Sequence, residues 1–260
     1  MSSDVSTYVL LSHAQALRRQ MDIAASNMAN VNTPGYKRGQ ALFHSFVERT
    51  REAPIPDARS TSFVLDFGAV HDARAGAFQA TGNPLDVMIE GPGYLAVRDA
   101  AGATAYTRDG MLHVRPDGLL AAAGGQPVLD EGGRPITIPP ERRAGLAIAA
   151  DGTITAASGA GSDTGSPVAG APIARLGVTV FDELRVSERG DGLLSGAGGR
   201  LLAPAETHLR TGGAEASNVQ PILESTHMIE ILRAYQTSME MSANLDALRK
   251  QAIGRLGKAE

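Results

Sequence analysis

Cysteine and tryptophan are absent from this 260-residue chain, and aromatic residues of all kinds make up only 4% of it. Without Cys there is no disulfide, zinc–thiolate site, iron–sulfur cluster or thiol nucleophile. With 5 Tyr and 6 Phe as its only rings, the chain has to build its core from Ala, Val, Leu, Ile and Met. No run approaches the ~20 apolar residues of a membrane span. No basic n-region leads into an apolar run and a small-residue cleavage site, so no secretory signal peptide is expected. A basic excess is also lacking. The 24 Lys and Arg stand against 28 Asp and Glu, a net charge of −4 that speaks against a dedicated nucleic-acid binder. What remains is ordinary globular composition, 43% hydrophobic and 20% charged, in a chain long enough for one or two domains with self-supporting cores.

Catalytic patterns are equally scarce. None of His13, His44, His71, His113, His208 and His227 stands within four residues of another, so no local metal pair is visible. No Walker A loop, GxGxxG, GxSxG or HExxH occurs. The string Asp163-Thr164-Gly165-Ser166 matches an aspartic-protease motif, but that chemistry needs a second carboxylate loop and there is no second copy. Acid pairs suited to glycoside hydrolysis stay open, because any two carboxylates can meet in a fold. No cofactor, metal or small-molecule substrate is expected.

The two ends of the chain share a design. Val5 to Val31 contains no Gly or Pro, and Leu10, Ala14, Leu17, Met21, Ala24, Met28 and Val31 recur at spacings of 4 and 3. This is a heptad seam, and at ~1.5 Å per residue the helix would span roughly 40 Å. At the other end Ile231, Ala234, Ser238, Met241, Leu245, Leu248 and Ala252 alternate spacings of 3 and 4. A second row, Met228, Leu232, Tyr235 and Met239, broadens that apolar face, so the helix needs more than one neighbour. Ser217 and Asn218 are candidate N-caps, with Pro221 in the first turn. Residues 1–31 carry two acids and two bases and residues 217–260 carry five of each, so the net charge belongs to the middle. Neutral, striped helices suit packing against other helices.

The middle, residues 81–205, reads as antiparallel β, a barrel or sandwich. Leu85, Val87 and Ile89 alternate, and Asp109-Gly110, Asp117-Gly118 and Asp151-Gly152 are hairpin-type dipeptides. From Ala156 to Pro172 the chain is almost all small residues, which predicts a flexible surface loop. Residues 39–80 read as a connector. Phe43, Phe46 and Val47 fit a short helix broken by Pro54 and Pro56, and Phe63, Val64, Leu65 and Phe67 look extended. The fold class expected is α+β, mainly β, with helical regions at 1–38 and 206–260.

Three strings carry more than composition. The first helix runs out at Asn27, Asn30 and Asn32, then Thr33-Pro34-Gly35-Tyr36-Lys37. Asn tolerates the left-handed conformation, Pro34 presets a turn, and Gly35 supplies positive φ for a type II turn. The second string is Thr81-Gly82-Asn83-Pro84-Leu85-Asp86. The third is Ser217-Asn218, then Glu224, Met228, Arg233 and Tyr235. Together, in this order and across nearly the whole chain, they resemble the signatures of the flagellar rod and hook family.

That resemblance implies a structural subunit of the bacterial flagellar basal body, located in the periplasmic rod. Such a subunit is made in the cytoplasm, exported by the flagellar type III apparatus without a cleaved signal peptide, and helps to transmit torque along the drive shaft. Its partners would be other rod proteins and the export apparatus, with no nucleic acid, small-molecule substrate or membrane span. Its terminal helices would form an inner coiled-coil layer through Leu10, Leu17, Met21, Met28, Val31, Ile231, Met241, Leu245 and Leu248, with the β domain outside. The length points to the rod rather than the hook. Thr61 to Phe67 followed by Thr81 to Pro84 looks more like the proximal than the distal rod branch, with a distal-rod or hook-type subunit as the alternative. Pro92, where a polar residue is usual, and the long 156–172 loop depart from the family pattern. A reading from another class is a secreted wall-remodelling hydrolase, which requires a carboxylate or His cleft in the β domain.

Overall fold

In the computed structural model the described residues are 2–48, 61–156, 171–181, 186–189 and 192–256. They form a mainly β chain with one long helix near each end. Two units emerge: residues 1–29, 39–72 and 219–260 make a helical unit, and residues 30–38 and 73–218 make a β unit.

The helical unit holds α1 (Ser2–Ala29), β1 (Gly39–Glu48), β2 (Thr61–His71) and α2 (Pro221–Leu256). α1 stops two residues before the seam expected from periodicity, so Val31 lies in the turn beyond the helix. The cap of α2 also differs from expectation. Its first i to i+4 bond runs from the Glu224 N–H to the Gln220 carbonyl, which gives Gln220 the cap place and leaves Ser217 and Asn218 upstream. Pro221 then fills the first helical position, where its missing N–H costs nothing. Between the helices, β1 and β2 pair antiparallel from Gly39↔His71 to Glu48↔Thr61, with a register shift between Ala41 and Phe43. Phe43, Phe46 and Val47 are thus strand residues, not helical. A short aromatic run is ambiguous by periodicity alone, and a second β-rich run able to pair with it decides for strand. The hairpin packs on α1.

The β unit contains β3 (Phe78–Ala80), β4 (Val87–Ile89), β5 (Tyr94–Arg98), β6 (Thr104–Thr107), β7 (Leu112–Val114) and β8 (Leu120–Ala122). It continues with β9 (Leu146–Ile148), β10 (Thr153–Ala156), β11 (Pro172–Arg175), β12 (Val178–Val180), β13 (Val186–Glu188) and β14 (Leu194–Gly196). It closes with β15 (Arg200–Leu201), β16 (Leu209–Thr211) and β17 (Gly213–Glu215). The largest sheet has the order β13-β14-β6-β5-β12-β15, a second runs β11-β10-β9, and β16-β4, β17-β3 and β7-β8 are two-stranded. Every pairing among the described residues is antiparallel.

Asp117-Gly118 and Asp151-Gly152 close the β7–β8 and β9–β10 hairpins. Asp109-Gly110 does not close one, because β6 pairs with β5 and β14 while β7 pairs with β8. A turn dipeptide fixes a change of direction but not which strand comes next. One apolar cluster fills the unit, including Val87, Leu95, Val97, Leu120, Val128, Ile136 and Ile154, all fully buried. Each such side chain contributes ~1.5–3 kcal/mol relative to exposure. The low-aromatic core expected from composition is therefore aliphatic. The expected 156–172 loop, with Asp163 to Ser166 inside it, lies outside the described residues from 157 to 170.

Candidate assembly site

α1 and α2 pack on each other through a small apolar cluster. Leu17, Ala24 and Ile231 are buried in it, with Met21, Met228, Ala234 and Tyr235 half-buried against them. Leu10, Met28 and Leu245 are also half-buried. On α2 the covered line is Glu224, Met228, Ile231, Tyr235, Ser238, Ser242, Leu245 and Arg249, a strict 4-3 alternation. It shares Ile231, Ser238 and Leu245 with the seam expected from sequence, whose Ala234 is half-buried beside it. It differs in the other row, since Met241 and Leu248 are exposed and Ser242 and Arg249 take their place. Met241 and Leu248 belong to an apolar row on another side of this helix, which α1 does not cover. Leu223, Met241 and Leu248 stand exposed along one flank of α2. Ile229, Leu232 and Met239 stand exposed along the other, and Tyr8 and Leu11 are exposed on α1.

One polar cluster organises the helical unit. The Asn27 side-chain amide pairs with the Gly39 backbone in both directions. Its Nδ2 donates to the Gly39 carbonyl at 3.0 Å, and its Oδ1 accepts from the Gly39 N–H at 2.8 Å. The same Nδ2 donates to Glu224 Oε1 at 2.8 Å. Asn27 and Glu224 are both buried. The last turn of α1, the first residue of β1 and the first turn of α2 thus meet on one amide.

A second cluster lies in the β unit. Thr33 to Tyr36 form the expected turn, with the Tyr36 N–H donating to the Thr33 carbonyl at 3.2 Å and Gly35 at φ 71°. Asn30 accepts the Thr33 hydroxyl and amide, and Asn32 and Thr33 are exposed. A Cβ on Gly35 would lie 2.4 Å from the Arg108 carbonyl carbon and oxygen, so both conformation and space demand glycine. The Gly35 N–H donates to the Glu215 carbonyl at 2.8 Å. Lys37 Nζ reaches Glu215 Oε1 at 2.6 Å, and Arg108 Nε reaches Glu215 Oε2 at 2.7 Å. All three side chains are at least 95% buried. Further donors of the cluster reach backbone carbonyls and the same carboxylate. Arg108 donates to the carbonyls of Ile89, Gly91 and Gly93, Lys37 donates to the Arg74 carbonyl, and the Gly76 N–H donates to Glu215 Oε1. Asn218 completes the set. Its Oδ1 accepts the Arg38 N–H at 2.7 Å and its Nδ2 donates to the Arg74 carbonyl at 2.9 Å.

Burial by itself pushes the Glu215 carboxyl up. The Arg108 charge, with hydrogen bonds from Lys37, Arg108 and Gly76, more than offsets that and holds it below the usual carboxylate range. A carboxyl lowered in the folded state stabilises fully at neutral pH, and that contribution is lost as pH falls through its folded value. Asp109, which follows Arg108 in the chain, shifts the other way, pushed up by burial and by the Asp86 charge against a hydrogen bond from the Met111 N–H.

The third motif is a local brace. Asp86 is buried and accepts from Thr81 Oγ1, Asn83 Nδ2 and the Leu112 N–H. Asn83 Oδ1 accepts the Leu85 N–H. Pro84 is exposed, Leu85 packs against the core, and Gly82 turns at φ 77° with open space around it. No group of His, Asp and Glu among the described residues is arranged to hold a metal ion.

Comparison with known proteins bears on these motifs directly. Residues 8–37 match the family model described as flagella basal body rod protein. Residues 88–156 match the flagellar hook protein FlgE/F/G D1 domain, and residues 210–255 the flagellar basal body rod FlgEFG protein C-terminal model. The flagellar basal-body rod protein FlgF of Caulobacter vibrioides is 35% identical over 258 residues, covering 98% of this chain and 99% of that one. FlgF of Salmonella typhimurium is 31% identical over 94% of both chains. FlgG of Bacillus subtilis is 27% identical over 95% of this chain and 97% of that one. The chain belongs to the flagellar basal-body rod protein family.

Within the rod family the FlgF relatives run at 30–35% identity and the FlgG relatives at 26–27%. The first two signatures read from sequence acquire local structural roles: Asn27 and the Thr33 to Lys37 turn build the two clusters, and Asn83 and Asp86 the brace. Of the third, Asn218 and Glu224 join clusters and Met228 and Tyr235 line the α1–α2 packing. Ser217 is half-buried before the helix, and Arg233 is exposed on α2. Sequence reading missed Glu215, Arg108, Arg74 and Gly39. The signal for Glu215 was Lys37, a charge within a turn motif, which called for a counter-charge elsewhere. No helix among the described residues is long and apolar enough to cross a membrane.

Proposed function

We propose that this chain is a non-enzymatic structural subunit of the flagellar basal-body rod, on its proximal side, exported by the flagellar type III apparatus and assembled through its terminal helices. The observation that carries this reading is α2. One line of it is covered by α1, while Leu223, Met241 and Leu248 on one flank and Leu232 and Met239 on the other face solvent in the isolated chain. A neutral helix with uncovered apolar strips on two sides is built for further helices. Supplied by neighbouring rod subunits, these would complete a coiled-coil layer around the axis. A heterologous contact repeated along an axis gives a tube rather than a closed oligomer. The β unit, with its own barrel- or sandwich-like core, then forms the outer module, and load passes from subunit to subunit along the drive shaft.

The test is genetic and structural. In cells lacking the chain, electron microscopy is expected to show basal bodies arrested within the rod and no swimming. Replacement by Leu248→Asp is expected to leave the purified chain folded, because that side chain is already 60% exposed, yet to block incorporation. Normal swimming in both strains would overturn the reading.

A further inference from the structure

The chain passes between its two units four times, after Ala29, Arg38, Asp72 and Asn218. On the β-unit side every one of these passages leads into the Glu215 cluster. The segment 30–38, which carries two of them, is held at Gly35, Lys37 and Arg38. The segment starting at Ala73 is held at the Arg74 carbonyl, which accepts from both Lys37 and Asn218, and at the Gly76 N–H. The segment ending at Asn218 supplies Glu215 and Asn218 themselves. Three separate stretches of chain are therefore cross-linked within three residues of the passages after Arg38, Asp72 and Asn218, and the passage after Ala29 reaches the same cluster at Gly35, six residues on.

A cluster of this kind is an odd choice for stability alone. Taking an ammonium, a guanidinium and a carboxylate out of water carries a desolvation cost that well-packed apolar side chains of the same volume avoid. What charged groups add is direction. Charge-assisted hydrogen bonds are short and angularly demanding, so they hold register where apolar contacts permit sliding. In a subunit that turns under load, the four passages are where force carried by the helices enters the β unit along the covalent chain.

We infer that Glu215 is a positioning residue for torque transmission, which with Lys37, Arg108 and Asn218 fixes the four passages in register so that they share the load. This rests on the rod reading above and deepens it. The experiment places Glu215→Gln and Lys37→Met separately in the host, beside a strain lacking the chain and a Lys37→Arg strain. Basal bodies are counted by electron microscopy, and swimming speed is measured in dilute and in viscous medium. The expected result is basal bodies in normal number, ordinary speed in dilute medium, and loss of swimming in viscous medium for both variants, with Lys37→Arg swimming in both. Ordinary swimming of both variants in viscous medium overturns the inference. So does absence of basal bodies in both, which would make the cluster an element of folding or assembly only. If the strain lacking the chain swims, the rod reading itself fails, and the inference with it.

Discussion

The two units of this molecule solve the burial problem differently. In the β unit Leu95, Val97, Leu120, Val128 and Ile154 are entirely hidden from solvent, inside one cluster that draws on most of its strands. Among the described residues of the helical unit only Leu17, Ala24 and Ile231 form a buried cluster, although its helices together span 64 residues, 28 in α1 and 36 in α2. The same helices leave Ile222, Leu223, Leu248 and Ile253 at least 60% exposed. Among the described residues the β unit gathers its buried apolar side chains into one large cluster, while the two helices leave large apolar side chains exposed. Amphipathic helices owe most of their stability to what they pack against. The exposed strips on the helices are what the proposed rod assembly would cover.

The largest effect expected from this contrast lies in the β core. Leu120→Ala removes a fully buried side chain from a closed cluster that cannot collapse around the gap, and should cost the β unit about 2–5 kcal/mol. Urea unfolding followed by circular dichroism should show the β transition moving to lower denaturant while the helical signal stays in place. A coincident shift of both would show that the units do not unfold separately. Next in size is a comparison of two glycines with nearly equal positive φ. Gly35 abuts the Arg108 backbone, whereas nothing lies within 4 Å of a Cβ on Gly82. Gly82→Ala should cost only the left-handed strain, about 1–2 kcal/mol. Gly35→Ala should cost more, because the turn must also move off Arg108. Equal midpoints for the two variants would break this account of the motif.

Much of this was legible in the sequence, and the failures share a cause. The helices, the Thr33 to Tyr36 turn and two of the Asp-Gly hairpins follow from local chemistry: periodicity, proline, and glycine at positive φ. Asp109-Gly110 lies between two hairpins, β6 pairing back to β5 and β7 forward to β8, while the second partner of β6 is the distant β14, and the dipeptide carries no sign of that choice. The Phe43 to Val47 run became a strand only through its partner at 61–71. The site splits the same way. Asn27 and Lys37 stood out by position, but their counterparts Gly39, Glu224 and Glu215 are 12, 197 and 178 residues away. Met241 and Leu248 on α2 lie on apolar positions that α1 leaves exposed. Apolarity alone does not say which of several apolar faces the chain's own partner helix covers.

That last point gives the smallest expected effect and the sharpest use of the contrast. Ile231 and Leu248 lie on one helix and look equivalent in a heptad reading, yet one is 3% and the other 60% exposed. Ile231→Ala opens the α1–α2 cluster and should lower the helical unit's stability by about 2 kcal/mol or more. Leu248→Ala removes a side chain that touches little in the isolated chain, and should shift stability by less than about 0.5 kcal/mol. Its effect should appear only when the chain is incorporated beside its neighbours, as a reduced yield of basal bodies from cells. A Leu248→Ala chain that melted as early as Ile231→Ala would mean that the helical unit already covers this strip by itself, and the case for a second helix partner would fall.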